Sequence, residues 1–185
     1  VYMVLEDEYL ENKDMRAYLY RDRNQLAVYA KAMYAMALHH IGDREKLAMV
    51  LKNIEQYLMQ DEENQTAYLD LPNHNYWWHW YGSEYEAQAY YLKLLSRVAP
   101  TGESASGLVK YLINNRKHAT YWNSTRDTAV VVEAFVDVAE EVVHGLRSFV
   151  GPQLGLDRAH GSLDHYDGSG AWLGHCLGPF LGLWL

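Results

Sequence analysis

The amino-acid sequence predicts an all-α protein of paired antiparallel helices, arranged as in an α/α solenoid or toroid. Apolar residues recur at helical spacing through most of residues 1–150, and short turns join the helices within a pair. Aromatic segments of extended character connect one pair to the next, and recurrent helix pairs are typical of solenoids and toroids. The chain has 185 residues and is 49% hydrophobic, so it can bury the core of one domain.

The first clear helix pair follows a less regular start. Residues 1–22 indicate one or two helices, and their predicted inward-facing residues are Met15, Tyr18 and Leu19. Residues 24–41 and 43–61 each carry an apolar stripe at helical spacing. Gly42-Asp43 ends the first of these helices and caps the second. The short connection predicts that the two helices are antiparallel neighbours.

A second group of helices follows Ser83. Ser83 is predicted to be an N-cap, and Glu86 three residues later completes a capping box. Pro100 ends this helix, and a shorter helix is predicted over residues 103–115.

The last predicted helix begins in the most informative stretch of the chain, residues 121–132. Ser124 or Thr125 can cap its first turn, and Asp127 lies where a carboxylate suits the positive end of the helix dipole. The helix is predicted to run to about His144 and is apolar on nearly all sides. That pattern predicts burial on every side, inside a larger helical assembly.

Aromatic connectors are predicted between the helices. Residues 66–71 and 76–81 flank a Pro/Asn turn at residues 72–75, which predicts a hairpin or two extended crossings. Residues 118–122 form a further extended aromatic connector.

The composition excludes several classes of function. The net charge is −8 with only 16 Lys and Arg, so a nucleic-acid-binding face is not expected, nor is binding to an anionic membrane. Cys176 is the single cysteine, which excludes an internal disulfide and a Cys-rich zinc site. No run of eighteen apolar residues and no signal peptide is seen. Because the chain begins with Val1, we expect it to be a piece of a longer protein.

Residues 151–185 differ from the rest. They hold eight of the thirteen glycines, no Lys and no Glu, and the helical pattern is lost. We interpret them as an irregular Gly-rich tail, either an appendage or non-native sequence, outside the domain at residues 1–150.

One cluster suggests a ligand or interdomain surface. It consists of His74, Trp77, Trp78, His79, Trp80 and Tyr81. These rings can bind sugars beside Glu84 and Glu86, or they can pack the end of a helix barrel, which is the commoner role of large aromatics. Glu84 and Glu86 are two residues apart and therefore point to different sides of a helix, unlike the facing carboxylates of a glycosidase.

No metal, cofactor or catalytic nucleophile is predicted. His39-His40 ends a helix, where a cation suits the dipole, and adjacent side chains do not converge on one metal. Cys176 has no basic activator near it in the sequence. The tail mixes potential ligands at a spacing that fits no defined site: Asp157, His160, Asp164, His165, Asp167 and His175.

Three blocks within residues 15–140 carry a family resemblance, in order and at plausible spacing. The first covers residues 26–43 and 53–67, the second residues 81–90, and the third residues 108–116 together with Tyr121-Trp122 and Ser124-Thr125-Arg126-Asp127-Thr128-Ala129. Together they resemble the thioester domain of bacterial α2-macroglobulins.

The resemblance implies an α/α toroid, of which the chain holds only the later part. Members of that family are endopeptidase inhibitors that trap a protease after it cuts a bait region, exposing a shielded Cys–Gln thioester that can acylate the attacker. The family motif Cys-x-Glu-Gln lies upstream of the matched region, and Cys176 is followed three residues later by Pro179 instead of Gln. The thioester and every catalytic role are therefore assigned to no residue of this chain.

The resemblance leads to a functional expectation with two open alternatives. We expect a non-enzymatic scaffold piece of an exported protease-trapping protein, in the periplasm, cell envelope or extracellular space. Its expected partners are the other domains of the parent protein and, through that protein, target proteases. One alternative is an α/α-toroid carbohydrate-active enzyme or binding module that uses the aromatic cluster from Trp77 to Tyr81. Another is a helical-repeat interaction module with no covalent chemistry.

Overall fold

The computed structural model describes residues 1–71, 83–117 and 120–154, with the backbone alone described for Asp7 and residues 145–154. Within these ranges the chain forms seven α-helices and one two-stranded antiparallel sheet. They are α1 (Tyr2–Asp7), α2 (Lys13–Arg21), α3 (Val28–His40), α4 (Arg44–Glu55), β1 (Leu58–Asp61), β2 (Thr66–Leu69), α5 (Glu84–Val98), α6 (Glu103–Asn114) and α7 (Thr125–Leu154). The mostly helical architecture confirms the predicted all-α character at this coarse level.

The chain divides into two compact units, Val1–Arg147 and Ser148–Leu185. The first unit contains α1 to α6, the sheet and most of α7. Of the second unit, only the residues at the end of α7 are described. None of the described helices is both long enough and apolar enough to cross a membrane.

The turn between α3 and α4 confirms the predicted helix pair. Gly42 has φ +76°, a left-handed conformation that costs glycine little, and its N–H donates to the carbonyl of His39 at 3.1 Å. Asp43 then caps α4, because its side chain accepts the N–H of Lys46 at 3.2 Å. The tight connection brings the two helices into contact as antiparallel neighbours.

The predicted length of α4 was wrong, whereas the extended character predicted for residues 66–71 is found in β2. α4 ends at Glu55, and residues 58–61, predicted as helix, form β1. β1 pairs with β2 in the register Leu58 to Leu69 and Asp61 to Thr66, with a turn at residues 62–65. Asp61 makes this turn, since its carboxylate accepts the N–H groups of Glu63 and Asn64 at 3.1 Å. The turn predicted at residues 72–75 lies outside the described residues.

The core lies around α3, which packs against α1, α4 and α5, while α6 packs on β2. The largest fully buried side chains include Tyr91, Met36, Leu38, Ile54, Leu69, Leu92, Leu94, Leu108 and Leu112. Of the residues predicted to face inwards near the start, Met15 and Leu19 pack against this core. Tyr18 does not, because 56% of its surface is exposed.

The prediction that the last helix is buried on all sides was also wrong. Val131 and Ala134 of α7 are fully buried, whereas Val132, Val136 and Val143 are exposed. The helix therefore covers the core with one face and presents valines to solvent with another. It begins at Thr125 as expected and continues ten residues beyond His144, to Leu154.

Candidate functional site

The starts of α5 and α7 meet at one buried carboxylate, and we call this meeting point the Asp127 joint. Asp127 is almost fully buried. One of its carboxylate oxygens accepts the hydroxyl of Ser83, which caps α5, and the other accepts the hydroxyl of Ser124 at 2.9 Å. Ser124 also accepts the backbone N–H of Asp127 at 3.1 Å, so it caps α7. The joint thus links two helix N-termini that are far apart in the sequence.

Ser83 fulfils half of its predicted capping box. Its hydroxyl oxygen accepts the N–H of Glu86 at 3.0 Å, as the N-cap prediction requires. The carboxylate of Glu86 forms its ion pair with Arg126 instead, which lies 40 residues further along the chain. A tertiary partner therefore engages a side chain that the local motif assigned to the helix start.

The pair of Arg126 and Glu86 is the second link between α5 and α7. Both guanidinium nitrogens Nε and Nη2 donate to the two carboxylate oxygens, and the Nε bond is 3.2 Å long. Glu86 is buried, whereas the Arg126 side chain is half exposed. This two-bond geometry is the favourable one for arginine and a carboxylate, and hydrogen bonding to Glu86 raises the pKa of Arg126.

Trp122 holds the connector before α7 in place. The indole N–H of Trp122 donates to the carbonyl of Leu112 at the end of α6, at 2.9 Å. Its backbone N–H donates to the Thr128 hydroxyl at 3.1 Å, and its ring meets Phe135 edge-on with centroids 6.1 Å apart. Trp122 therefore ties the predicted aromatic connector to the helices on either side.

Gln88 attaches the hairpin to α5. Its side-chain amide donates to the carbonyl of Leu69 and accepts the N–H of Leu69, both at 2.8 Å. Gln88 and Leu69 are fully buried, so these two bonds satisfy backbone groups that water cannot reach. Sequence reasoning gave Gln88 no role, because nothing local indicates a partner 19 residues away.

The Asp127 joint is built for holding helices in place. Each serine hydroxyl donates to Asp127 and accepts a backbone N–H, so both serines join a helix start to the same carboxylate. An open cavity of about 380 Å³ lies beside the joint, lined by Tyr121, Asn123, Ser124, Thr125 and Thr128. Within the described residues, no group of three or more His, Cys, Asp or Glu side chains is placed to hold a metal.

The predicted aromatic cluster and the potential ligands of the tail both lie outside the described residues. The aromatic cluster of His74, Trp77, Trp78, His79, Trp80 and Tyr81 lies outside the described residues, as does Cys176. The role of the aromatic cluster as a ligand or interdomain surface stays a prediction. The potential metal ligands of the tail, from Asp157 to His175, also lie outside.

Glu84 and Glu86 diverge as predicted. Glu86 binds Arg126, whereas Glu84 accepts the hydroxyl of Tyr111 at 2.9 Å, on α6. Burial and this bond raise the pKa of Tyr111. The Tyr111 ring stacks on Tyr68 of β2 with centroids 5.0 Å apart, so the two rings cover each other.

Comparison with known proteins gives no further guide to the family. No protein-family model, no curated protein and no solved structure matches the chain significantly.

Proposed function

We propose that the chain is the later part of the thioester domain of an exported protease-trapping protein of the α2-macroglobulin type. In this proposal its helix pairs form an incomplete α/α toroid. The chain supplies scaffold to the parent protein, and the reactive thioester lies upstream of it. Its partners are the other domains of the parent and, through them, the trapped protease.

One observation carries the proposal. The second and third family-like blocks, although separated in the sequence, meet through Ser83 and Asp127 and through Glu86 and Arg126. The residues that give the resemblance are therefore the residues that hold α5 against α7. Side-chain links between helices that are distant in the sequence are the contacts that a scaffold requires.

The experiment starts from the source gene. We expect its reading frame upstream of Val1 to encode a Cys-x-Glu-Gln motif. The full-length product should then be treated with trypsin. A trap encloses the protease, so cleavage of a large protein substrate should fall while cleavage of a small peptide substrate continues. A thiol released on cleavage would report opening of the thioester.

Other outcomes would count against this assignment. An upstream sequence without the motif and equal inhibition of large and small substrates would exclude a covalent trap. Asp127→Asn in the full-length protein separates structure from chemistry. A scaffold role predicts a lower melting temperature with trapping intact below it, whereas a chemical role predicts lost trapping at an unchanged melting temperature.

A further inference from the structure

Helix α7 presents a stripe of apolar residues to solvent. Val132, Val136 and Val143 are 49%, 49% and 48% exposed, and the exposed Ala139 lies between them. Their spacings of four, three and four residues place them on one line along the helix. We call these four residues the valine stripe.

The orientation of α7 fixes this stripe on the outside. Val131 and Ala134 on another face are fully buried, and Phe135 packs against Trp122. Rotating the helix to bury the stripe would expose these residues instead. Several exposed valines on one line are more apolar surface than an isolated exposed side chain, and such a patch marks a contact site.

The acidic and basic residues of α7 beside the stripe are all negative. Glu133 and Glu140 each follow a stripe residue, at the position that flanks the seam of a two-helix coiled coil. No Lys or Arg occurs between Asp127 and His144. Glu133 forms an ion pair with Lys93 of α5 at 3.1 Å, whereas the exposed Glu140 has no ion pair among the described residues.

We propose that the valine stripe docks an amphipathic helix of a partner whose apolar residues are flanked by Lys or Arg. Valines at this spacing pack against a facing helix, and positive residues on that helix would pair with the flanking glutamates. A second copy of this chain fits poorly. If two copies of α7 packed antiparallel, the flanking glutamates of one helix would face those of the other. If they packed parallel, each glutamate would face Phe135 or Val142 of the other copy. The proposal does not rest on the proposed function.

The test uses the whole chain and two synthetic helical peptides labelled with a fluorophore. Both carry leucine at the seam positions, and one has Lys at every flanking position while the other has Glu. Fluorescence anisotropy should show binding of the Lys peptide, weakened by salt, and at least tenfold weaker binding of the Glu peptide. V136S combined with V143S should weaken binding of the Lys peptide by about tenfold or more.

Two matched variants distinguish binding at the valine stripe from nonspecific binding elsewhere on the surface. M59S replaces an equally exposed residue of β1 and should leave binding of both peptides unchanged. E140K should weaken binding of the Lys peptide and strengthen binding of the Glu peptide. Equal binding of both peptides, or binding that survives the double valine variant, would overturn the proposal. So would self-association of the chain in sedimentation or its flotation with lipid vesicles, if V136S/V143S abolishes either.

Discussion

Lys31 is a buried cation without a carboxylate. It lies in α3 with only 4% of its surface exposed, and no ion pair of the described residues includes it. Its ammonium is 6.0 Å from the centre of the Tyr57 ring, a contact that offsets part of the lost hydration. Burial lowers the pKa of Lys31, which means that the fold disfavours its charged form.

Replacing Lys31 with methionine should therefore stabilise the protein. Lys31→Met keeps much of the side-chain volume and removes a charge that the fold holds at a cost, so we expect the free energy of unfolding to rise by about 1 kcal/mol at neutral pH. Urea denaturation measures it. The control is Lys93→Met, which breaks ion pairs with Glu133 and Asp137 and should destabilise slightly. A loss of stability in Lys31→Met would show that the cation is favourable where it lies.

At the scale of single residues, the sequence predicted what depends on near neighbours. The cap Ser83 was predicted and is confirmed, and of the two predicted candidates Ser124 and Thr125 the cap is Ser124. A capping oxygen and the N–H that it accepts lie within one turn, so such pairs can be predicted from the sequence. The partners of Glu86 and Gln88 were not predicted. Those contacts depend on which helix lies alongside, and a local pattern carries no information about that.

Helix α6 approaches β2 so closely that only glycine fits at one position. A Cβ atom at Gly107 would lie 2.7 Å from both the Cβ and the backbone nitrogen of Ala67. The backbone nitrogen belongs to a paired strand and cannot turn aside as a side chain could. The close approach of helix and hairpin thus depends on the absence of a Cβ atom at Gly107.

Gly107→Ala should loosen the contact between α6 and the hairpin. Alanine favours the helix, but the overlap with Ala67 forces the elements apart, and we expect a net loss of about 1 to 3 kcal/mol in the free energy of unfolding. Thermal unfolding followed by circular dichroism measures it. Ser106→Ala, an exposed neighbour on the same helix, should leave stability unchanged or slightly raised. Equal stability of the Gly107 variant would contradict the close approach.

At the scale of elements, the helices were predicted better than the β1–β2 hairpin. The bounds of α6 agree with residues 103–115 to within one residue, because the stripe and the flanking turns are local. The β1–β2 hairpin was not predicted, because residues 58–61 continue the helical pattern of α4. The strand forms there because Thr66–Leu69 pairs with it and the Asp61 turn reverses the chain.

The whole molecule buries tyrosines whose hydroxyls must stay protonated. Desolvation raises the pKa of Tyr91 to about 12 and that of Tyr34 to about 12. Because the unfolded pKa is near 10, the fold favours the neutral phenol. The resulting stability is fully present below pH 10 and is lost as the pH rises towards about 12.

Tyr91→Phe should reduce this alkaline loss. The variant keeps the buried ring but has no proton to lose. Between about pH 10 and 12 its free energy of unfolding should therefore fall by about 2 to 3 kcal/mol less than that of the wild type. The measurement is the urea midpoint at a series of pH values. At neutral pH the two proteins should have similar midpoints. Parallel pH profiles for both proteins would contradict the assignment.

The organisation of the whole molecule was predicted in part. Helix pairs and a mostly helical core follow from periodicity, whereas the exposure of one face of α7 does not. An apolar helix is expected to be buried, and the sequence alone does not say whether the covering residues belong to the same chain. Closure into a toroid remains part of the proposal.

The Asp127 joint also has an evolutionary consequence. Ser83 and Asp127 share one hydrogen bond, so Ser83→Ala and Asp127→Ala each remove it, and the second substitution cannot remove that bond again. A double-mutant cycle should give a combined cost below the sum by about 1 kcal/mol. Selection against replacing either residue therefore weakens once the other has changed, and we expect related chains to keep both residues or to lose them together.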